Sequence, residues 1–264
     1  MKTININTST GINTFLFPDK QPHVNLQGLE EGEKVKVVCS ITDANTLMYL
    51  IECSNALDNL FCKKEVLVIP YLMGARFDRV MERGDSFDLK VIAELINSCG
   101  FKKIVLFDVH SDVSTALIKN SFVITNEILV KSYNIPNSVL ICPDAGAEKK
   151  IKNYFSWNNN FTDVVYCIKE RDLSTGKIKS IKVLEPEKCE NRMCVIVDDL
   201  CDGGGTFLGI AGKINAYELR LIVTHGVFSK GTKILTDIKF HEVITSDSIY
   251  KGNDPSVTVI KFSV

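Results

Sequence analysis

Three aspartates in five positions, Asp198, Asp199 and Asp202, stand directly ahead of three glycines, Gly203, Gly204 and Gly205, and then Thr206. Carboxylates at this density accept hydrogen bonds from sugar hydroxyls, or hold water around a Mg²⁺. Glycines carry no Cβ to keep a ligand away, so their N–H groups can face a phosphate. A helix opening at Thr206 adds a partly positive terminus. Acids beside a phosphate cradle repel the phosphate unless they serve hydroxyls or a screening cation. A phosphorylated ribose meets all of these demands with one ligand. A tight turn with solvated acids is the plainer reading of any one of these residues, but together they favour a binding loop.

Such a loop needs a strand before it and a helix after it. Cys194, Val195, Ile196 and Val197 read as a buried strand whose end is marked by Asp198 and Asp199, and Thr206 begins an apolar, helix-like run. The rest of the chain repeats this plan. Residues 1–40 alternate like β structure, at Ile4 and Ile6, Asn13 to Phe17, and Val35 to Ser40, with a turn-rich loop from Phe17 to Val24. A helix is predicted from Thr42 or Asp43, with Asp43 as cap and Leu47, Leu50, Ile51, Ala56, Leu57 and Leu60 on one stripe. Glu65 to Tyr71 reads as a buried parallel strand. A second helix runs from Ser86, taken as N-cap, to Cys99 with Gly100 as its stop. Strands follow at Ile104 to His110, Ser138 to Gly146 (strand then turn), Asp163 to Arg171, Glu218 to Phe228 and Glu242 to Ile249, and the last segment alternates like an edge strand. Strands alternating with helices imply mostly parallel α/β sheets, and their number implies two of them. The boundary is placed near residue 125, giving domains 1–125 and 126–264. Polar clusters fall at strand carboxyl ends, where open α/β folds bind ligands.

The bulk properties add limits. At 264 residues and net charge −1, nothing global points to nucleic acid or a membrane surface. No apolar run approaches a bilayer span, and the N-terminus has no signal-peptide core. Nine cysteines without CxxC pairs fit small buried hydrophobes in a reducing, cytoplasmic setting better than disulfides or zinc.

Several strand-end clusters resemble, in order, the motifs of the ribose-phosphate diphosphokinases, or PRPP synthetases. FPDKQPHV (Phe17 to Val24) sits where that family has Phe-Ser-Asp-Gly-Glu, and PYLMGARFDR (Pro70 to Arg79) resembles its adenine loop, Pro-Tyr…Ala-Arg-Gln-Asp-Arg. DVHS (from Asp108) resembles Asp-Leu-His-Ala, and CPDAGAEKK (from Cys142) resembles Ser-Pro-Asp-Ala-Gly-Gly. IKER (from Ile168) resembles a catalytic Lys-x-Arg, and THGVFS (from Thr224) resembles Thr-His-Gly-Leu-Phe. Phosphoribosyltransferases share only the Asp198 to Phe207 loop, so the synthetase reading is the stronger one.

The resemblance implies two similar α/β domains with mostly parallel sheets, of type I phosphoribosyltransferase-like fold, with the active site between them. It implies an enzyme that moves the β,γ-diphosphate of Mg·ATP to the C1 hydroxyl of a ribose acceptor, leaving AMP. Lys169 and Arg171 would be catalytic cations; alone they would read as a solvated charge run. Arg76, Phe77, Asp78 and His110 would bind ATP. Phe17, Asp19 and Gln21 would reach the adenine of a neighbouring subunit, so a homo-oligomer, dimer or hexamer, is implied. His110 and Asp144 would hold Mg²⁺, directly or through water. Asp198, Asp199 and Asp202 would bind ribose hydroxyls, and Gly203, Gly204, Gly205 and Thr206 the 5′-phosphate.

The chain departs from the family in two places. Phe77 replaces a Gln, which favours stacking on adenine. The family's Asp-Thr-x-Gly-Thr loop becomes Asp202-Gly203-Gly204-Gly205-Thr206, which removes a hydroxyl. A lost hydrogen bond to a charged phosphate costs about 1.5–3 kcal/mol. The trimmed loop is read as making room beyond the phosphate, so the acceptor is either ribose 5-phosphate or ADP-ribose. A phosphoribosyltransferase and a catalytically silent regulatory homologue are the competing classes.

Overall fold

The computed structural model describes residues 1–132, 135–157, 160–171, 178–237 and 239–262. The chain packs as two compact units, Met1–Thr125 and Asn126–Ser263. The first contains β1 (Lys2–Asn5), β2 (Ile12–Leu16), β3 (Pro22–Leu26), β4 (Lys34–Val38), α1 (Ala44–Asn59) and β5 (Lys63–Ile69). It continues with α2 (Asp88–Ser98), β6 (Lys103–Phe107), α3 (Val113–Leu117) and β7 (Ser121–Ile124). Its main sheet is all parallel, in the order β1-β4-β5-β6-β7. The central strands bury side chains on both faces: Leu67, Val68 and Ile69 are fully enclosed, as the continuous apolar run predicts.

α1 starts where the sequence says. Asp43 Oδ1 accepts from the Thr46 amide at 2.8 Å and Thr46 Oγ1 accepts from the Asp43 amide at 3.0 Å, a reciprocal cap. Leu47, Leu50 and Leu57 face the core, whereas Leu60 falls at the C-cap and is exposed. Ser86 is not the cap of α2. The helix begins at Asp88 without a side-chain cap, because the Leu89 amide finds its acceptor in the Phe77 carbonyl at 3.2 Å. Gly100 does close the helix end, at φ 71°. The Phe17 to Val24 loop is also shorter than read: β2 and β3 form an antiparallel hairpin in which Leu16 pairs Pro22. Pro22 is tolerated as the first residue of a strand in a two-stranded sheet.

The second unit contains α4 (Glu127–Ser132), β8 (Ser138–Cys142), α5 (Glu148–Trp157), β9 (Phe161–Arg171), β10 (Ile178–Val183) and β11 (Met193–Cys201). After these come α6 (Gly205–Ala211), β12 (Glu218–Gly226), α7 (Lys233–Thr236), β13 (Glu242–Ser246) and β14 (Val257–Ile260). Its sheet runs β10-β9-β8-β11-β12-β13-β14, parallel except for the β9–β10 hairpin. β14 is the edge strand its alternation suggests. β11 lies between β8 and β12, with Val195, Ile196 and Val197 enclosed. It runs past Asp199, because pairing with β12 continues to Cys201 opposite Gly226. All nine cysteines are buried and none is in a disulfide. Among the described residues no helix is long and apolar enough to cross a membrane.

Candidate active site

In the second unit the acids gather at the ends of adjacent strands. Asp199 is buried, and its amide donates to Asp198 Oδ1 at 2.9 Å. The surrounding protein and the neighbouring Asp199 carboxylate push the Asp198 pKa well above the ordinary range, with Asp144 adding to the effect. The Asp198 carbonyl accepts from Asn126 Nδ2 at 3.1 Å, and Asn126 in turn accepts from the Tyr154 hydroxyl. A buried relay from α5 thus fixes the main chain from which both carboxylates project.

Asp144 follows β8 and caps a short 3₁₀ turn, Ala145–Ala147, through Oδ1 at 3.2 Å from the Ala147 amide. Its other oxygen accepts from Lys169 Nζ on β9. The pair is largely enclosed, with side-chain exposures of 12% for Lys169 and 26% for Asp144. Asp144 also lines a recess of about 400 Å³ with Glu148, Tyr166 and Ile168. Arg171 ends β9 opposite Ile178, and its side chain lies outside the described residues.

The glycine loop joins β11 to α6. Gly204 adopts φ 73°, which a side-chain-bearing residue enters only at a cost, and its carbonyl accepts from the Leu208 amide at 3.0 Å. The amides of Gly203, Gly205 and Thr206 have no backbone acceptor among the described residues, so they can serve a ligand. The missing side chains do not leave open space at these three positions. A Cβ on Gly203 would meet Lys230 Cε at 3.4 Å, one on Gly204 would meet Leu235 Cδ2 at 3.0 Å, and one on Gly205 would meet Ile178 Cδ1 at 3.5 Å. The trimming therefore admits neighbouring side chains to the loop rather than opening a channel there.

The THGVFS segment forms the adjoining wall. Val227 and Phe228 amides donate to the Cys201 carbonyl at 2.9 and 3.1 Å, and the Ser229 amide donates to Asp202 at 3.2 Å. Phe228 is held at φ 46°. His225 is buried, with Nδ1 at 2.9 Å from Ser248 Oγ, which ties this wall to the turn after β13.

In the first unit, Asp78 takes a two-pronged hydrogen bond from Arg79, at 2.7 and 3.1 Å. That bond brings the Asp78 pKa down to about 2, with Ser111 and His110 contributing in the same direction. Asp78 thus joins the loop after β5 to the turn after β6. Asp108 on that turn is buried at φ 35°, an unusual conformation of the kind stored at functional sites. Arg76, Phe77 and His110 are exposed. Phe17 is half-exposed at the hairpin tip, its ring 5.0 Å from Phe15 and 5.9 Å from His23, with Asp19 and Gln21 exposed beside it.

Asp144, Lys169, Asp198, Asp199, Asp202 and the glycines all belong to the second unit. Arg76, Phe77, Asp78, His110 and the hairpin residues belong to the first. His110 and Asp144, read as sharing one metal, fall in different units. Among the described residues no three His, Cys, Asp or Glu side chains form a ready metal cage. Mg²⁺ suits such a surface, since it keeps several waters and takes one or two carboxylates plus substrate phosphates. Arg79 and Ser111 lie inside quoted motifs without being named there as site residues, and Lys230 directly follows THGVFS, whereas nothing in the sequence signals Asn126 or Tyr154.

Each unit, then, is a parallel α/β layer with acids, cations and glycine-lined backbone at strand carboxyl ends. No family model matches the chain. A ribose-phosphate pyrophosphokinase of Mycoplasmopsis pulmonis is 26% identical over 251 residues, covering 90% of this chain and 76% of that protein. One from Maricaulis maris is 26% identical, covering 92% and 80%, and one from Sulfolobus acidocaldarius is 24% identical, covering 94% and 87%. The phosphoribosylpyrophosphate synthetase of Mycobacterium smegmatis shares the fold, with a TM-score of 0.80 at 20% identity over 96% of this chain and 86% of its own. The chain is similar to the ribose-phosphate pyrophosphokinases over most of its length.

Proposed function

We propose that this chain is a diphosphokinase that transfers the β,γ-diphosphate of ATP to the anomeric hydroxyl of a phosphorylated ribose. The anomeric oxygen attacks Pβ, the bond from Pβ to the bridging α–β oxygen breaks, AMP leaves with that oxygen, and the hydroxyl proton is released. The observation that carries this reading is the meeting, in one unit, of Lys169 and Asp144 with the Asp198–Asp199 pair. Such transfer needs little covalent chemistry from the protein; it needs positioning and a cation aimed at charge on the phosphate oxygens. Lys169 is that cation, with Arg171 beside it in the chain. Asp198, Asp199 and Asp202 accept the ribose hydroxyls, and the free amides of Gly203, Gly205 and Thr206 bind the 5′-phosphate. Arg76, Phe77, Asp78 and His110, with Phe17, Asp19 and Gln21, take the nucleotide.

Mg²⁺ would fit the oxygen donors offered by Asp144 and the Asp198–Asp199 pair. When bound it neutralises phosphate charge. The exposed hairpin rings support a homo-oligomer in which that hairpin serves a neighbour, and nine unpaired thiols support a cytoplasmic setting.

Two acceptors carry the required hydroxyl, ribose 5-phosphate and ADP-ribose. The names of the relatives support the first. The loss from the loop, at Gly203, of a hydroxyl that a terminal 5′-phosphate would use supports the second. Purified protein with Mg·ATP and each acceptor, assayed for AMP, tests the reading. AMP formed only with one acceptor identifies it, giving PRPP or ADP-ribose pyrophosphate. Absence of AMP with both would leave the silent homologue, and phosphoribosyl transfer to a base without ATP would leave the phosphoribosyltransferase.

A further inference from the structure

We infer that Lys230 supplies the counter-charge for the acceptor's phosphate and is a specificity-determining residue of the site; this rests on the acceptor-loop reading above. Its place is defined by Gly203. A Cβ on that glycine would stand 3.4 Å from Lys230 Cε, 3.5 Å from Cδ and 3.7 Å from Cγ. The lysine stem therefore lies lengthwise along the glycine, and its ammonium is one bond beyond the nearest carbon.

The main chain holds it there. The Ser229 amide donates to Asp202 at 3.2 Å, the Phe228 amide to Cys201 at 3.1 Å, and the Gly231 amide to Phe228 at 2.8 Å. Position 230 is thus fixed against the loop on both sides while its side chain stays exposed. The Asp202 carbonyl that fastens this segment is one residue from Gly203, so the two stretches keep a constant spacing.

Electrostatics give the placement a purpose. Asp199 and Asp202 place negative charge beside the loop, which opposes a phosphate, and the loop itself carries no basic side chain. Lysine is a compact charge on a flexible stem and binds phosphate oxygens without a fixed geometry. A Cβ at 203 would sit in van der Waals contact with that stem, so a glycine there leaves the stem room to move along the loop. Gly203 and Lys230 are therefore a matched pair, in which an ammonium from the neighbouring wall takes over phosphate binding from a hydroxyl on the loop. The ligand chemistry is a phosphoryl group on the ribose 5′ oxygen. Ribose 5-phosphate offers it as a dianion, and ADP-ribose as one singly charged phosphoryl of a diphosphate, so Lys230 weighs more on the first.

Lys230→Met, Lys230→Arg and, as a control at an exposed site, Lys213→Met would be compared with the parent protein. The readouts are KM for each acceptor, KM for ATP, and calorimetric titration with inorganic phosphate. Lys230→Met should raise the acceptor KM about 10- to 100-fold, more for ribose 5-phosphate than for ADP-ribose, with ATP unaffected. Lys230→Arg should recover part of the loss, and phosphate should bind the methionine variant more weakly. Unchanged acceptor KM, or phosphate bound no more tightly by the parent than by Lys230→Met, would overturn the assignment. Should the parent form no AMP at all, the function proposed above fails, and the phosphate titration alone decides the role of Lys230.

Discussion

Lys169 on β9 and Asp144 after β8 form an enclosed ion pair, so the cation assigned to diphosphate transfer rests on a carboxylate assigned to metal binding. The two roles are coupled through one contact. A cation brought to Asp144 competes directly with Lys169, which is then available to a phosphate.

Lys169→Met should lower the rate of AMP release by on the order of 10³-fold, with the ATP KM changed far less. The comparison of kcat with KM separates a charge needed in the transition state from one that only binds substrate. Removing one partner of an enclosed pair leaves the other uncompensated, so Lys169→Met, Asp144→Asn double substitution should be better folded than Lys169→Met alone. Thermal midpoints of the three proteins check this.

Asp198→Asn should make the fold less sensitive to pH while abolishing acceptor binding. Because the Asp198 pKa is raised in the folded state, the folded protein holds a proton that the unfolded chain gives up. Stability is therefore full below the ordinary carboxylate pKa, about 4, and falls as pH rises toward the raised value. The asparagine variant escapes that loss. Unfolding followed from pH 4 to pH 8 should show the two curves diverging upward in pH, by about 2–4 °C for each 1 kcal/mol relieved. Parallel curves would count against the charged pair as a source of strain.

Gly204→Ala should destabilise by about 1–2 kcal/mol, since alanine must adopt φ 73° with its Cβ at 3.0 Å from Leu235. Gly203→Ala should cost less, because its backbone imposes no such conformation and its neighbour is a mobile lysine stem. Denaturant midpoints for both variants test the order.

Asn126→Ala should cost about 1–3 kcal/mol by removing an acceptor of the buried Tyr154 hydroxyl and the donor to the Asp198 carbonyl. It should also raise the acceptor KM without altering the ATP KM, because the residue acts only through the main chain of Asp198.

The sequence by itself determined most of the elements and their order, though not β7 or β10. Continuous apolar runs at β5, β6, β8 and β11 announce strands buried on both faces, Asp43 and Thr46 spell out the cap of α1, and Gly100 marks the end of α2. These are local consequences of side-chain transfer from water and of backbone hydrogen bonding, so short stretches suffice to read them. The polar residues at strand ends were legible for the same reason, because they interrupt apolar runs. Where the reading failed, a partner distant in sequence intervened. The Leu89 amide uses the Phe77 carbonyl, so Ser86 is not needed as a cap; β12 keeps pairing with β11, so the strand outlasts Asp199. Only the tertiary structure decided that Lys169 meets Asp144, that Asn126 and Tyr154 brace Asp198, and that the space above Gly203 belongs to Lys230 rather than to an opening. Each of those contacts joins residues at least 25 positions apart, and packing, not local pattern, selects them.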